Sequence, residues 1–383
     1  MEDSSYFQSI NYSQKIIEDI SELFLKAGVS IQRIETFVAP RIGLIYEIHL
    51  DKYLAEEYFN AIYVFLVNKH SYFPIQIRSV EPVIRLIPIK RNNTSSVIKK
   101  LLILLTVLTV FLTGYGLTES FYKFLDIENS FVILTWSIVY TFLFLIALGF
   151  HEYGHLKVSR RDGIVVDGPF FIPAPPIQLG FIGTLGAIIT MRNIPPNRNS
   201  LARIGLSGPL ISFTIGLFIG IFGLLISPHV RVERVAELEE ISFLPLVLQL
   251  MLLFIKVEEG YTILAHPLLI ASFIILLVTF LNLIPIGQLD GGHVVRSYVS
   301  ERIYENLSYV IIVTTLLAGI ILFIFNKPAY MYYVFLTFIL IVFKIIFGRK
   351  PHPGPANQVS HIKTYKYMYV YLLLLTLTTP IPI

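Results

Sequence analysis

The chain has 383 residues, of which 55% are hydrophobic and 15% charged, and its mean hydropathy is +0.69. That balance excludes an ordinary soluble globular protein and places most of the chain in lipid. The net charge of +4 comes from Lys and Arg beside apolar runs, as orientation signals do, so no nucleic-acid partner is expected, and the absence of Cys leaves only His and carboxylates as metal ligands.

No apolar run opens the chain, so no cleavable signal peptide is expected and residues 1–95 are expected outside the membrane as a small α+β accessory domain. Asn11 to Lys26 reads as a helix closed by Gly28, and Arg33 to Val38 and Leu44 to Leu50 alternate like strands. Asp51 is placed to cap a second helix running to about Val67, followed by strands over Ile75 to Ser79 and Val83 to Ile89. The polar run at 90–96 reads as a linker, and Lys99 and Lys100 mark a lipid boundary.

Residues 96–383 read as a transmembrane domain with its core at about 131–300. Apolar runs long enough to cross a bilayer, which takes about 20 residues, begin near Leu101, Phe131, Ile204, Pro267, Tyr309 and Tyr330, with a shorter one from Met368, giving about seven spans. Leu244 to Ile255 is too short to cross unaided and reads as re-entrant or interfacial; the alternative, an ordinary span, inverts everything after it. The fold class expected is therefore a polytopic α-helical membrane protein with an N-terminal α+β unit. The basic residues Lys90, Lys99, Lys157, Arg160, Arg192, Arg203, Arg296, Lys344 and Arg349 fall on one side if the N-terminus is cytoplasmic, in what reads as a cell-membrane protein.

Directly after the run Phe131 to Phe150 comes His151-Glu152-Tyr153-Gly154-His155, an HExxH sequence continuing the helix. Positions i and i+4 share one helical face, so both imidazoles can reach one Zn2+ ion while Glu152 projects beside it as a general base. Zinc lowers the pKa of water at such a site to about 7 and polarises a carbonyl, so a carboxylate base suffices at neutral pH. A chance match on a polar helix face is the bland alternative, but ionisable groups at the end of a membrane helix are costly and seldom idle.

A catalytic zinc takes three protein ligands. Asp290, in Asn282-Leu283-Ile284-Pro285-Ile286-Gly287-Gln288-Leu289-Asp290-Gly291-Gly292-His293, is the one acidic residue between Ala265 and Ser300, and the charge pattern puts it at the depth of His151. Pro285 interrupts helical hydrogen bonding, and the freed backbone groups are expected to line a cavity. A helix cap is the other reading of Asp290. The site is expected toward the cytoplasmic side.

Together HEYGH and NLIPIGQLDGG resemble the site-2 protease family of intramembrane metalloproteases, whose pattern is HExxH followed by NxxPxxxLDG. The resemblance implies that His151, His155 and Asp290 bind zinc, that Glu152 is the catalytic base, and that Asn282 holds substrate or the developing oxyanion; a packing hydrogen bond is the other reading of Asn282. Pro169 to Met191, with Gly180, Gly183 and Gly186, and Leu206-Ser207-Gly208-Pro209 also look like family elements, whereas no PDZ-like insertion is evident. The implied function is hydrolysis of peptide bonds within or near transmembrane segments of a protein substrate, in regulated intramembrane proteolysis.

Gln178 to Met191 is glycine-rich and short, and its Ile182, Leu185, Ile188 and Ile189 suit an extended edge. Gly183, Thr184 and Gly186 are accordingly candidate substrate-binding residues, on the expectation that an unwound substrate adds as a strand; a hairpin that merely packs under the metal helix is the alternative. His293 reads as an interfacial residue rather than a partner of the ligands. A metal transporter or sensor using the same ligands, or an inactive scaffold, are the rival classes. Residues 1–95 are the candidate surface for homo-oligomerisation or a regulator.

Overall fold

The computed structural model describes residues 15–40, 42–90, 95–235, 243–347 and 352–382. A helix over 15–26 (α1) ends where Gly28 adopts φ +66°, a left-handed stop that a Cβ disfavours. Residues 11–14 of the expected first helix and 91–94 of the expected linker lie outside the described residues. Then come β1 (Ile31–Ala39), β2 (Gly43–Leu50), α2 (Glu56–His70), β3 (Tyr72–Ile77) and β4 (Val83–Pro88). The strands form an antiparallel sheet in the order β1-β2-β4-β3.

Ile16, Ile20 and Phe24 of α1 and Phe59, Ile62, Tyr63 and Leu66 of α2 cover one face of this sheet, packing against Tyr46, Ile48, Ile84 and Leu86. Burying each large apolar side chain stabilises such a unit by about 2 kcal/mol. Asp51 does not cap α2. Its carboxylate accepts from Ser30 N at 2.9 Å, the helix starts four residues later at an N-cap Ala55 without a side-chain cap, and the intervening turn explains the difference: Asp51 pins β2 to the start of β1 instead.

The remainder is built on helices: α3 (Ser96–Phe124), α4 (Ser130–Arg161), α5 (Arg198–Leu225), the short α6 (Val232–Val235) and α7 (Leu246–Leu252), α8 (Pro267–Leu283), α9 (Asp290–Tyr298), α10 (Glu301–Ile324), α11 (Tyr330–Phe347) and α12 (Lys366–Thr378). Interleaved are the pairs β5 (Val166–Pro173) with β6 (Thr184–Met191), β7 (His229–Arg231) with β9 (Tyr261–Ile263), and β8 (Phe243–Pro245) with β10 (Pro380–Pro382). By length and composition α3, α4, α5 and α10 can each cross a membrane, and α8, α11 and α12 are shorter apolar helices. Helix thus occupies all seven expected positions, with four of full length among the described residues. Outward-facing Leu104, Phe142, Phe218 and Phe323 fit a lipid surround rather than water. Within the expected re-entrant segment the helix α7 has seven residues, about 10 Å at 1.5 Å rise, against a hydrocarbon thickness of about 30 Å.

Ser95 and Asn129 cap the N-termini of α3 and α4 through side-chain oxygens, and Arg160 and Arg161 sit at the C-terminus of α4, where cations suit the helix dipole. The chain then turns back through β5 and β6, which lie beside α4, and enters α5, which packs on α4, α8 and α9.

Candidate metal centre

Buried positions on α4 recur at Tyr140, Phe144, Ala147, His151 and His155, so the stripe that packs α4 into the bundle runs directly into both imidazoles. Two glycines bring α5 against this stripe. A Cβ on Gly154 would lie 2.6 Å from the Ser207 carbonyl oxygen, and one on Gly208 would lie 2.1 Å from His155 Nε2 and 2.7 Å from His151 Nε2. Only hydrogen at these positions allows the helices to cross here.

The third side chain comes from a broken helix. α8 stops at Leu283, Gly287 takes φ +58°, and α9 begins at Asp290. Gly291 packs so closely that a Cβ would lie 1.9 Å from the Leu283 carbonyl oxygen. Three backbone carbonyls near the break accept hydrogen bonds from side-chain hydroxyls. Tyr371 Oη donates to Leu283 O at 3.0 Å, Ser308 Oγ to Pro285 O at 3.1 Å and Tyr304 Oη to Gly287 O at 2.6 Å. In an apolar surround an unpaired carbonyl is expensive, and hydroxyls from α10 and α12 meet all three.

Leu289, not Asp290, occupies the N-cap position of α9; the Asp290 carboxylate faces the histidines. His151 Nε2 and His155 Nε2 lie 3.1 Å apart, and Asp290 Oδ2 is 3.3 Å from the first and 3.2 Å from the second. Metal-to-ligand bonds of 2.0–2.1 Å in a tetrahedron set neighbouring ligand atoms about 3.3 Å apart, so this near-equilateral triangle has the dimensions of one face of such a tetrahedron. Among the described residues this is the one group of three or more His and carboxylate side chains able to share an ion.

Hydrogen bonds behind the triangle orient its lone pairs. His155 Nδ1 donates to the Ile204 carbonyl at 2.8 Å, which places its proton there and leaves Nε2 open toward the centre. His151 Nδ1 lies 3.1 Å from Ser212 Oγ, Ser212 Oγ lies 2.9 Å from Thr279 Oγ1, and Thr279 donates to Ile275 O at 2.7 Å. The terminal carbonyl can only accept, so the chain runs in one direction and His151 Nδ1 is its first donor. Ser212 and Thr279 were not singled out by sequence reasoning; a hydroxyl inside an apolar helix was the available signal.

Glu152 is buried next to the ligands on α4 and forms no hydrogen bond among the described residues. Asn282, one residue before the end of α8, is half-buried and likewise forms none through its side chain, so the packing role weighed above has no partner there. Gly183, Thr184 and Gly186 lie at the start of β6 rather than among the metal ligands. Gly183 fits tightly on α3, where a Cβ would lie 2.7 Å from Thr109 O, and Gly186 has φ +97°. The Thr184 hydroxyl donates to Ile172 O at 2.8 Å and accepts from Gly186 N at 3.0 Å; what this stretch offers a ligand is therefore backbone and the exposed Leu185 and Ile188 side chains. His293 is buried and hydrogen-bonded rather than interfacial.

Residues 139–326, which include His151, His155 and Asp290, match Peptidase family M50. Similar proteins include the probable chloroplastic zinc metalloprotease EGY2 of Arabidopsis thaliana, 33% identical over 43% of this chain and 29% of that protein. EGY2 of Oryza sativa subsp. indica is 30% identical over 50% of this chain and 34% of its own length. Zinc metalloprotease MJ0392 of Methanocaldococcus jannaschii is 25% identical over 46% of this chain and 38% of its own. The matched part thus spans roughly a third of these relatives' length. No solved structure matches the chain.

Proposed function

We propose that this chain, which matches Peptidase family M50 over residues 139–326, is an intramembrane zinc metalloprotease that hydrolyses peptide bonds within or near transmembrane segments of a protein substrate, in regulated intramembrane proteolysis. The observation that carries this reading is the 3.1 to 3.3 Å triangle of two imidazole nitrogens and one carboxylate oxygen, drawn from two helices and buried in the bundle. Its dimensions and donor types suit zinc, and the relatives are named zinc metalloproteases.

His151, His155 and Asp290 hold the ion. When bound, it supplies Lewis-acid polarisation of the scissile carbonyl and a lowered pKa for water. Glu152 takes the proton as water oxygen bonds to the carbonyl carbon, and returns it to the amide nitrogen as the C–N bond breaks. The Asn282 amide donates to the carbonyl oxygen as charge develops there, a contact worth about 3 kcal/mol. A helical substrate must first unwind, and the outer edge of β6, with Leu185 and Ile188 exposed, gives its backbone hydrogen bonds that lipid does not. The hydrolytic site faces the cytoplasm in this reading, with the N-terminus on the same side.

The test is zinc content and cleavage of a model transmembrane peptide, for wild type and Glu152→Gln side by side. Retained zinc with cleavage lowered by about 10²- to 10⁴-fold is expected. A variant that cleaves like wild type removes Glu152 as the base, absence of cleavage by wild type sinks the hydrolase, and zinc flux that is unaffected in the variant supports transport. Replacing Leu185 and Ile188 together by Ser should raise KM with little change in kcat; unchanged KM removes β6 from substrate binding.

A further inference from the structure

The stretch 352–361, between α11 and α12, contacts three parts of the molecule that are far apart in sequence. At one end it lengthens the N-terminal sheet. Asn357 forms a parallel bridge with Gln76 of β3, Gln76 N donates to Ala356 O at 2.9 Å, and Gln358 N donates to Gln76 O at 3.0 Å. The buried Gln76 side chain donates to Asn357 Oδ1 at 3.0 Å, and Ala356 is part of the sheet's apolar core. In the middle, Ala356 N and Asn357 N donate to Pro195 O and Pro196 O at 2.8 and 2.9 Å, just ahead of α5.

The other end holds α9. Gly354 N donates to His352 Nδ1 at 3.1 Å, so that nitrogen carries the lone pair and the His352 proton sits on Nε2. His352 Nε2 then donates to His293 Nδ1 at 2.8 Å. His293 is one helical turn after Asp290, on the same face of α9. Gly354 fits against Arg296, whose guanidinium nitrogen would be 2.9 Å from a Cβ there. Arg198 closes the arrangement, donating through Nε to Ser360 O at 3.0 Å and through an Nη to Ser297 O, the α9 carbonyl, at 2.8 Å. The helix that presents Asp290 has only nine residues, too few to be stable alone, so its position depends on such contacts.

We infer that this strap mechanically links the N-terminal sheet to the metal centre, with His352 as a positioning residue that sets α9, and through it Asp290, by its hydrogen bond to His293. The sheet edge at β3 is thereby an input: whatever loosens or tightens the strap there shifts the third ligand. The ligand role of Asp290 rests on the function proposed above; the strap itself does not.

Two measurements on the full chain in detergent separate the two. The first is amide hydrogen exchange across 290–298 in metal-free protein. His352→Ala should raise it at least tenfold, His352→Gln, which keeps a donor at the Nε2 position, should restore it, and Gln76→Ala or Asn357→Ala should raise it from the sheet side while exchange within α2 stays at the wild-type level. The second is zinc affinity, expected to fall about tenfold in His352→Ala, within the range for residues that orient a ligand from behind. Unchanged α9 exchange in His352→Ala, or a response to His352→Ala that neither sheet-side variant reproduces, overturns the strap. Zinc that binds wild type no better than Asp290→Ala refutes the metal reading alone and leaves the exchange result to judge the strap.

Discussion

The metal centre has two halves built in opposite ways. His151 and His155 stand one turn apart on a helix of 32 residues, and their spacing is a property of that helix alone. Asp290 stands at the first position of a nine-residue helix behind a break, held by glycine contacts, three hydroxyl-to-carbonyl bonds and the strap. A rigid rod can carry two ligands with no outside help; a ligand on a short helix takes its position from everything packed around it. Changes far from the centre should therefore act through the Asp290 half.

The largest effect that sharpens this contrast is removal of the Asp290 carboxylate, the third of the proposed ligands. Asp290→Ala should leave α4 intact by circular dichroism yet bring zinc below stoichiometric retention after dialysis and end cleavage; full zinc occupancy in that variant breaks the assignment. Asn282→Ala should lower kcat by about 100-fold with zinc unchanged, and a fall confined to KM would make it a docking residue instead. Ser212→Ala, behind the rigid half, should weaken zinc about tenfold without raising exchange in α9, since its contact orients a ring and does not place a helix; a rise in α9 exchange would erase the distinction between the halves.

The smallest effect is on pH. Burial, then the nearby His293 and Arg296, hold His352 well below the ordinary imidazole range, and Tyr304 also faces it. A group whose pKa is lowered when docked favours docking above its free value of about 6.5, and that preference is lost as pH falls below it. Amide protection of 354–358, corrected for intrinsic exchange, should decline between pH 7 and pH 5; protection that rises instead would mean His352 docks protonated.

The same division explains what was legible in the sequence. The HExxH half is local, so the apolar run and the i, i+4 spacing sufficed. Asp290 could be named because an acidic residue in a stretch otherwise without one stands out, but its approach to within 3.3 Å of the imidazoles depends on helix crossings that no local pattern encodes. Ser212 lies 61 residues from His151 and His352 lies 59 from His293; each looked like an ordinary polar residue. Asp51 departs from the expected cap because its partner, Ser30 N, is 21 residues back along the chain, a contact that no local pattern encodes. In the N-terminal unit the alternation of strands is readable, whereas the closure of its β3 edge by Asn357 is not, since Gln76 and Asn357 lie 281 residues apart.

The hydroxyls of Tyr304, Ser308 and Tyr371 have a consequence for hydration. Because they already engage the carbonyls at the α8–α9 break, that turn offers solvent few places to rest, and a wire of solvent molecules along it is disfavoured. The reactant is expected to arrive instead beside β6, where Leu185 is exposed. The chain's lack of native Cys makes this readable: a water-soluble maleimide should label Leu185→Cys quickly and Leu289→Cys slowly, and the reverse order would put the entry path through the turn.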